Sequence, residues 1–125
     1  MAEFRVREID HVVVNVSDVE RSLAWYSDLL GLAPEMADEW RAGEAPFPSV
    51  RVNDGFIIDL MQVERTGKNI DHICLVVDGD PDAIAADERL DVVAGPVIRG
   101  GARGDGRSVY VSDPDGNLVE LKSYA

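Results

Sequence analysis

Two histidines and two carboxylates occupy equivalent positions of an internal repeat in this chain. Ile9-Asp10-His11 recurs as Ile70-Asp71-His72 after 61 residues, and the same offset carries Asp59 onto Glu120. Neutral imidazoles and carboxylates are the side chains that bind Zn²⁺ and other first-row divalent metals. The spacing therefore predicts a four-ligand site for one divalent metal ion, made of His11, Asp59, His72 and Glu120.

Each candidate ligand lies in an apolar run that is typical of a β-strand. Successive side chains of a strand point to opposite faces. His11 then shares a face with Asn15, whereas Val14 and Val16 lie on the opposite, wholly apolar face. The other three runs show the same division. We expect helices to cover the apolar faces. The four candidates would then line the opposite faces, which carry both polar and apolar side chains and where a cleft would form.

Each carboxylate also has an interpretation that needs no metal. An enclosed carboxylate requires a partner, and Lys122, two residues along the same face, could pair with Glu120 directly. Asp59 could simply point to solvent.

With four ligands, a divalent ion would hold two neighbouring substrate oxygens and stabilise an enediolate as a Lewis acid. Glu120 or Asp59 would then be the catalytic base.

The order of strand-like and helix-like segments repeats with the candidates and predicts an α+β fold. Module one covers residues 6–63 and module two residues 69–124, and each reads βαβββ. Gly31 is expected to end the first helix, and residues 33–47 are expected to be irregular. The predicted strands are 9–16, 49–52, 56–63, 69–77, 92–98, 107–111 and 117–124, and the predicted helices are 19–30 and 80–90.

Two stretches resemble the vicinal oxygen chelate superfamily, which includes glyoxalase I, extradiol dioxygenases, fosfomycin-resistance enzymes and bleomycin-binding proteins. They are Ile9-Asp10-His11 leading to SLAWYSDLLGL at 22–32, and SVYVSDPDGNLVEL at 108–121. The resemblance implies one domain, residues 1–125, of two tandem βαβββ modules in a curved mixed sheet around a metal-binding cleft. It implies the ligands His11, Asp59, His72 and Glu120 for one ion of Ni, Co, Mn, Zn or Fe.

The resemblance also implies an enzyme acting on a small molecule with neighbouring oxygens. Glyoxalase-type lyase or isomerase chemistry is the first expectation, although glyoxalase-like members usually carry Glu at the position of Asp59. Extradiol dioxygenases need only two histidines and one carboxylate, which His11, His72 and Glu120 would supply. A metal-free binding protein that confers antibiotic resistance is the third alternative. The presence of a possible metal ligand at all four positions argues against it.

A glycine-rich stretch from Arg99 to Arg107 carries three arginines. It is expected to be either a mobile lid that meets an anionic substrate or a solvated loop between two strands. Ser108 and Tyr110 match fosfomycin-resistance members, whereas Val13 stands where those members have a hydroxyl. The candidate substrate-binding residues are therefore Arg103, Arg107, Ser108 and Tyr110.

Composition limits the partners and the compartment. The formal net charge of −12 argues against nucleic acid, and no apolar run approaches the roughly 20 residues of a membrane helix.

The single cysteine, Cys74, excludes an internal disulfide and is expected to be a small buried hydrophobe. We expect a cytoplasmic homodimer, since reduced thiols suit that compartment and open sheets leave edges that pairing can cover.

Overall fold

The computed structural model describes residues 8–64, 66–101 and 103–125. The first two residues of predicted module one, Val6 and Arg7, lie outside the described residues. The chain divides into two compact units, residues 1–64 and 65–125. Each unit contains one four-stranded mixed sheet with helices, which confirms the predicted α+β class and the tandem modules. None of the helices in the described ranges is long and apolar enough to cross a membrane.

The first unit forms a sheet in the order β1-β4-β3-β2, in which β1 runs parallel to β4 and the other pairs are antiparallel. Asp18 begins the first helix, where its carboxylate accepts the Arg21 N–H. The elements are β1 (His11–Val16), α1 (Val19–Ala24) continued by a π-helical segment (Trp25–Leu29), β2 (Ala33–Glu35), α2 (Ala37–Arg41), β3 (Ser49–Asn53) and β4 (Phe56–Gln62).

The expectation that residues 33–47 are irregular is wrong, because β2 and α2 lie there. Pro34 is compatible with a strand at this point because β2 is at the edge of its sheet. An edge strand tolerates a residue that lacks a backbone N–H.

The second unit repeats the arrangement in the order β5-β8-β7-β6, with β5 parallel to β8. Its first strand is shorter than predicted, so His72 lies just before it. Its helix ends well before residue 90, since the Asp87 carboxylate bonds the Arg89 N–H and competes with helical hydrogen bonds. The elements are β5 (Ile73–Val76), α3 (Pro81–Ala85), β6 (Asp91–Gly101), β7 (Gly104–Ser112) and β8 (Leu118–Ser123).

The core of each unit lies on the apolar face that strand alternation predicts. In the first unit, α1 packs against β4, and the Val14, Val16, Ile58 and Leu60 side chains are fully buried. In the second unit, the side chains of Leu75, Val119 and Leu121 fill the corresponding positions. The candidate ligands are therefore on the opposite face in both units, as expected.

The predicted loop between Arg99 and Arg107 is instead the end of a β-hairpin, with Gly101 paired to Gly104. Ala102, at its turn, lies outside the described residues. A Cβ at Gly101 would lie 2.9 Å from Lys122 Cε, and a Cβ at Gly106 would lie 2.7 Å from the Ser123 carbonyl oxygen. These glycines permit a close approach of the hairpin to β8, which is a packing requirement and not a sign of mobility.

Gly106→Ala should therefore destabilise the protein by about 1–3 kcal/mol, because the new methyl group forces the hairpin away from β8. Denaturant unfolding followed by circular dichroism measures the change. Gly100→Ala in the same hairpin is the matched control. Its Cβ would meet nothing closer than 3.8 Å, so its effect should stay within about 0.5 kcal/mol. Equal effects of the two substitutions would contradict the packing argument.

Candidate functional site

The first unit brings His11 and Asp59 together on adjacent parallel strands. Val13 lies directly opposite Asp59 in the β1–β4 pairing, so His11 is the diagonal neighbour of Asp59 on the same face. His11 Nε2 is 4.0 Å from Asp59 Oδ2. The Asp59 residue is only 6% exposed, which excludes the expectation that it simply points to solvent.

Asp59 is held in place by Ser49, a residue that the sequence analysis did not single out. Ser49 lies directly opposite Asp59 on β3, and its hydroxyl donates to Asp59 Oδ1 at 2.5 Å. The repeat offers a sign of this role, because the 61-residue offset carries Ser49 onto Tyr110, which lies directly opposite Glu120. A hydroxyl residue thus faces the candidate carboxylate in both modules.

The second unit brings His72 and Glu120 together in the same way. Cys74 lies opposite Glu120 in the parallel β5–β8 pairing, and His72 is two residues before it. His72 Nε2 is 3.3 Å from Glu120 Oε1. Glu120 is 4% exposed. The prediction that Cys74 is buried is wrong, since its side chain is exposed on this polar face.

Glu120 has more partners than Asp59. Its Oε2 accepts the Ser108 hydroxyl at 2.6 Å and lies 3.5 Å from Lys122 Nζ, which confirms the pairing foreseen for Lys122. Burial acts to raise the pKa of Glu120, but the Ser108 hydrogen bond and the Lys122 charge outweigh it and hold that pKa below its ordinary value. Glu120 is therefore stabilised as a carboxylate.

Each histidine is oriented by the aspartate that precedes it. Asp10 lies 2.8 Å from His11 Nδ1, and Asp71 lies 2.6 Å from His72 Nδ1. The hydrogen bond with Asp10 raises the pKa of His11 above its ordinary value of 6.5. Hydrogen bonds with His72 and Lys68 lower the pKa of Asp71. A proton held on Nδ1 leaves the Nε2 lone pair directed at the partner carboxylate, the arrangement found around metal-binding histidines.

The donor set of each pair fits a first-row divalent ion, since it offers one imidazole nitrogen and one carboxylate oxygen. Within the described ranges, no three His, Cys, Asp or Glu side chains come close enough together to hold a metal ion. Each unit therefore presents two of the four predicted ligands.

The predicted substrate-binding residues are spread over the second unit. Arg107 pairs with Asp82 of α3 at 3.0 Å, and Arg103 lies at the hairpin turn with its guanidinium over the Tyr124 ring. Ser108 is fully buried, with its hydroxyl donated to Glu120. Tyr110 lies beside the histidine, its ring centroid 6.0 Å from that of His72.

Arg99, which the sequence analysis left out of its substrate-binding set, lies near this pair. Its guanidinium is 6.0 Å from the centre of the Tyr110 ring. The strand pairing of Arg99 with Gly106 produces this placement. Local spacing alone did not separate Arg99 from the other two arginines.

Comparison with known proteins identifies the family. The family model of the Glyoxalase/Bleomycin resistance protein/Dioxygenase superfamily matches residues 8–121. The chain belongs to this superfamily. The match includes both histidine–carboxylate pairs, and members of the glyoxalase superfamily often use a metal ion.

Three proteins illustrate the range of the glyoxalase superfamily around this chain. Virulence protein STM3117 of Salmonella typhimurium is 27% identical over 128 residues, covering 95% of this chain and 85% of that protein. Its crystal structure has a TM-score of 0.76 and covers 98% of this chain and 100% of that one at 25% identity.

A probable lactoylglutathione lyase of Synechocystis is 28% identical over 122 residues, covering 89% of this chain and 91% of that protein. The structure of oxidase ChaP-H1 has a TM-score of 0.64 at 27% identity, covering 96% of this chain and 98% of that one. The names of these relatives thus include both lyase and oxidase chemistry.

Asp10→Asn should lower the pKa of His11, because the neutral amide no longer stabilises the imidazolium. NMR titration of the two imidazole signals, assigned with a His72→Gln variant, measures the shift. Asp54→Asn in the same unit is the control and should leave the His11 pKa unchanged. A His11 pKa that is the same in Asp10→Asn and in the wild type would show that Asp10 does not hold Nδ1 in solution.

Proposed function

We propose that this protein is a divalent-metal-dependent enzyme that carries out glyoxalase-type lyase or isomerase chemistry on a small molecule with two neighbouring oxygens. The observation that carries the proposal is repeated in both units: a histidine held at Nδ1 by an aspartate presents Nε2 to a buried carboxylate. We propose one ion of Ni, Co, Mn, Zn or Fe per chain, with ligands from both pairs, in a homodimer.

A divalent ion in this role would hold the two substrate oxygens and stabilise the charge of an enediolate. The chain would supply the base, and Asp59 is better suited than Glu120 to take a proton. Both Ser108 and Lys122 engage one Glu120 oxygen, whereas Asp59 Oδ2 faces only His11 among the described contacts. Its other oxygen is fixed by Ser49, which keeps the base in one orientation.

An anionic substituent on the substrate would meet Arg99 and Tyr110. Both lie on the β6–β7 hairpin, which also carries Ser108, the residue whose hydroxyl donates to Glu120. The Arg99 guanidinium beside the Tyr110 ring would offer a positive charge to a carboxylate or phosphonate group. The similarity to a probable lactoylglutathione lyase supports the lyase form of the proposal.

Extradiol-type dioxygenation is the second candidate. It is favoured by the longer distance in the first unit, where His11 and Asp59 are 4.0 Å apart compared with 3.3 Å between His72 and Glu120. The similarity to oxidase ChaP-H1 also supports it. Such an enzyme would use His11, His72 and Glu120 alone and leave Asp59 outside the ligand set.

His72→Ala should remove the bound metal while the fold persists, because it removes a ligand from the better-supported pair. Elemental analysis after purification without chelators measures metal per chain. Val76→Ala, an exposed position on the same face of β5, is the control and should keep the wild-type content. Full metal occupancy in His72→Ala would contradict the assignment of His72 as a ligand. A wild type that binds no metal would favour the metal-free binding protein.

Asp59→Ala distinguishes the two enzyme candidates. Loss of a charged ligand should weaken metal binding measurably in a glyoxalase-type site, whereas a three-ligand dioxygenase site should keep nearly all of its affinity. We expect the loss. Metal titration of the variant beside the wild type measures it, with Asp54→Ala in the β3–β4 turn as a control carboxylate of the same unit. Equal affinities of wild type and Asp59→Ala would move the assignment to dioxygenase chemistry.

A further inference from the structure

Lys122 is the most deeply buried charged side chain near either pair, at 1% exposure. Its Nζ lies 2.6 Å from the Arg99 carbonyl oxygen and 3.5 Å from Glu120 Oε2. Its stem lies along the two glycines of the hairpin, where a Cβ at Gly101 or Gly106 would come within 2.9 or 3.2 Å of it. The ammonium is therefore anchored from the β6 side and lies close to Glu120 Oε2.

The two oxygens of Glu120 consequently have different surroundings. Oε2 is engaged by Ser108 at 2.6 Å and by Lys122. Oε1 faces His72 Nε2 at 3.3 Å. The Tyr110 hydroxyl and the Cys74 thiol also donate to the Glu120 carboxylate. A carboxylate that is hydrogen-bonded through one oxygen offers its other oxygen to a ligand. Its orientation is then fixed before the ligand binds.

This arrangement is specific to the second module. The 61-residue offset places Met61 at the position equivalent to Lys122 and Phe47 at the position equivalent to Ser108. Neither side chain has an N–H or O–H to offer to Asp59. The repeat thus contains two carboxylates with different support, and among the described residues only Glu120 of the two has a buried counter-charge.

We propose that Lys122 is a positioning residue that holds Glu120 Oε2 and so makes Glu120 a one-oxygen metal ligand through Oε1. The proposal rests on the proposed function, because it requires that Glu120 binds a metal ion. It goes beyond it by assigning a buried lysine to the support of one ligand and by making the two halves of the repeat unequal.

Co²⁺ titration followed by visible absorption tests the proposal with Lys122→Met, which introduces the residue found at the equivalent position of module one. Circular dichroism confirms folding. Binding should weaken by about tenfold or more, as for other residues that orient metal ligands. Lys122→Gln, which keeps an N–H donor, should recover part of the affinity. Met61→Leu is the matched control and should bind Co²⁺ like the wild type.

The opposite results overturn the proposal. A lysine that acts only as a nearby positive charge repels the cation, so its removal would tighten Co²⁺ binding. A lysine that only packs would change the unfolding temperature and leave Co²⁺ affinity unaltered. A wild type and Met61→Leu control that both fail to bind Co²⁺ would overturn the proposed function itself, and the inference with it.

A measurement on the unaltered protein decides the matter if Lys122→Met does not fold. Infrared difference spectra on Zn²⁺ binding, with carboxylate-labelled glutamate, separate one-oxygen from two-oxygen ligation by the splitting of the carboxylate bands. We expect the one-oxygen pattern for the labelled glutamate. The two-oxygen pattern would overturn the proposal.

Discussion

Each sheet contains a carboxyl group that water barely reaches, and the need to stabilise this group determines the contacts around it. Asp59 is 6% exposed and Glu120 is 4% exposed. Removing a carboxylate from water costs several kcal/mol unless hydrogen bonds or opposite charges replace its hydration. The serines that donate to these groups, Ser49 and Ser108, are themselves buried. The interior of each polar face is therefore built around satisfying one carboxylate.

The two units stabilise their buried carboxyl groups with different side chains. The first uses one short hydrogen bond from Ser49 and the nearby His11 ring. The second adds a lysine, whose stem requires two glycines in the opposing hairpin. The two halves of the repeat thus share the positions of the candidate ligands but differ in the surrounding contacts. Removing the charge from Glu120 would leave Lys122 buried without its partner, so these residues are coupled in a way that Asp59 and Met61 are not.

The sequence predicted the parts of the structure that follow from local periodicity. Alternation places His11 and Asp59 opposite the core valines because a strand has a period of two residues, and the repeat then transfers the same arrangement to His72 and Glu120. Contacts across strands are different. The pairing of Ser49 with Asp59 or of Arg99 with Gly106 depends on strand register, which a single run of residues does not determine.

The glycine-rich stretch shows why composition alone misleads at such a point. A run of glycines usually indicates a flexible segment when its neighbours are unknown. In this hairpin, Gly101 and Gly106 leave space for Lys122 and for the end of β8. Cys74 is the converse case. A thiol in an apolar run is usually buried, but its place in the β5–β8 pairing puts it on the polar face beside Glu120.

The charge distribution of the chain affects which substrates it would attract. The chain carries a net charge of −12, which favours cations and opposes anions over the whole surface. Salt screens exposed charges beyond roughly 8 Å at physiological ionic strength, so the nearest groups matter most to a small ligand. Around Tyr110 these include the Arg99 guanidinium, 6.0 Å from the ring. The placement of Arg99 beside Tyr110 therefore supports the proposed anionic substituent of the substrate despite the negative net charge.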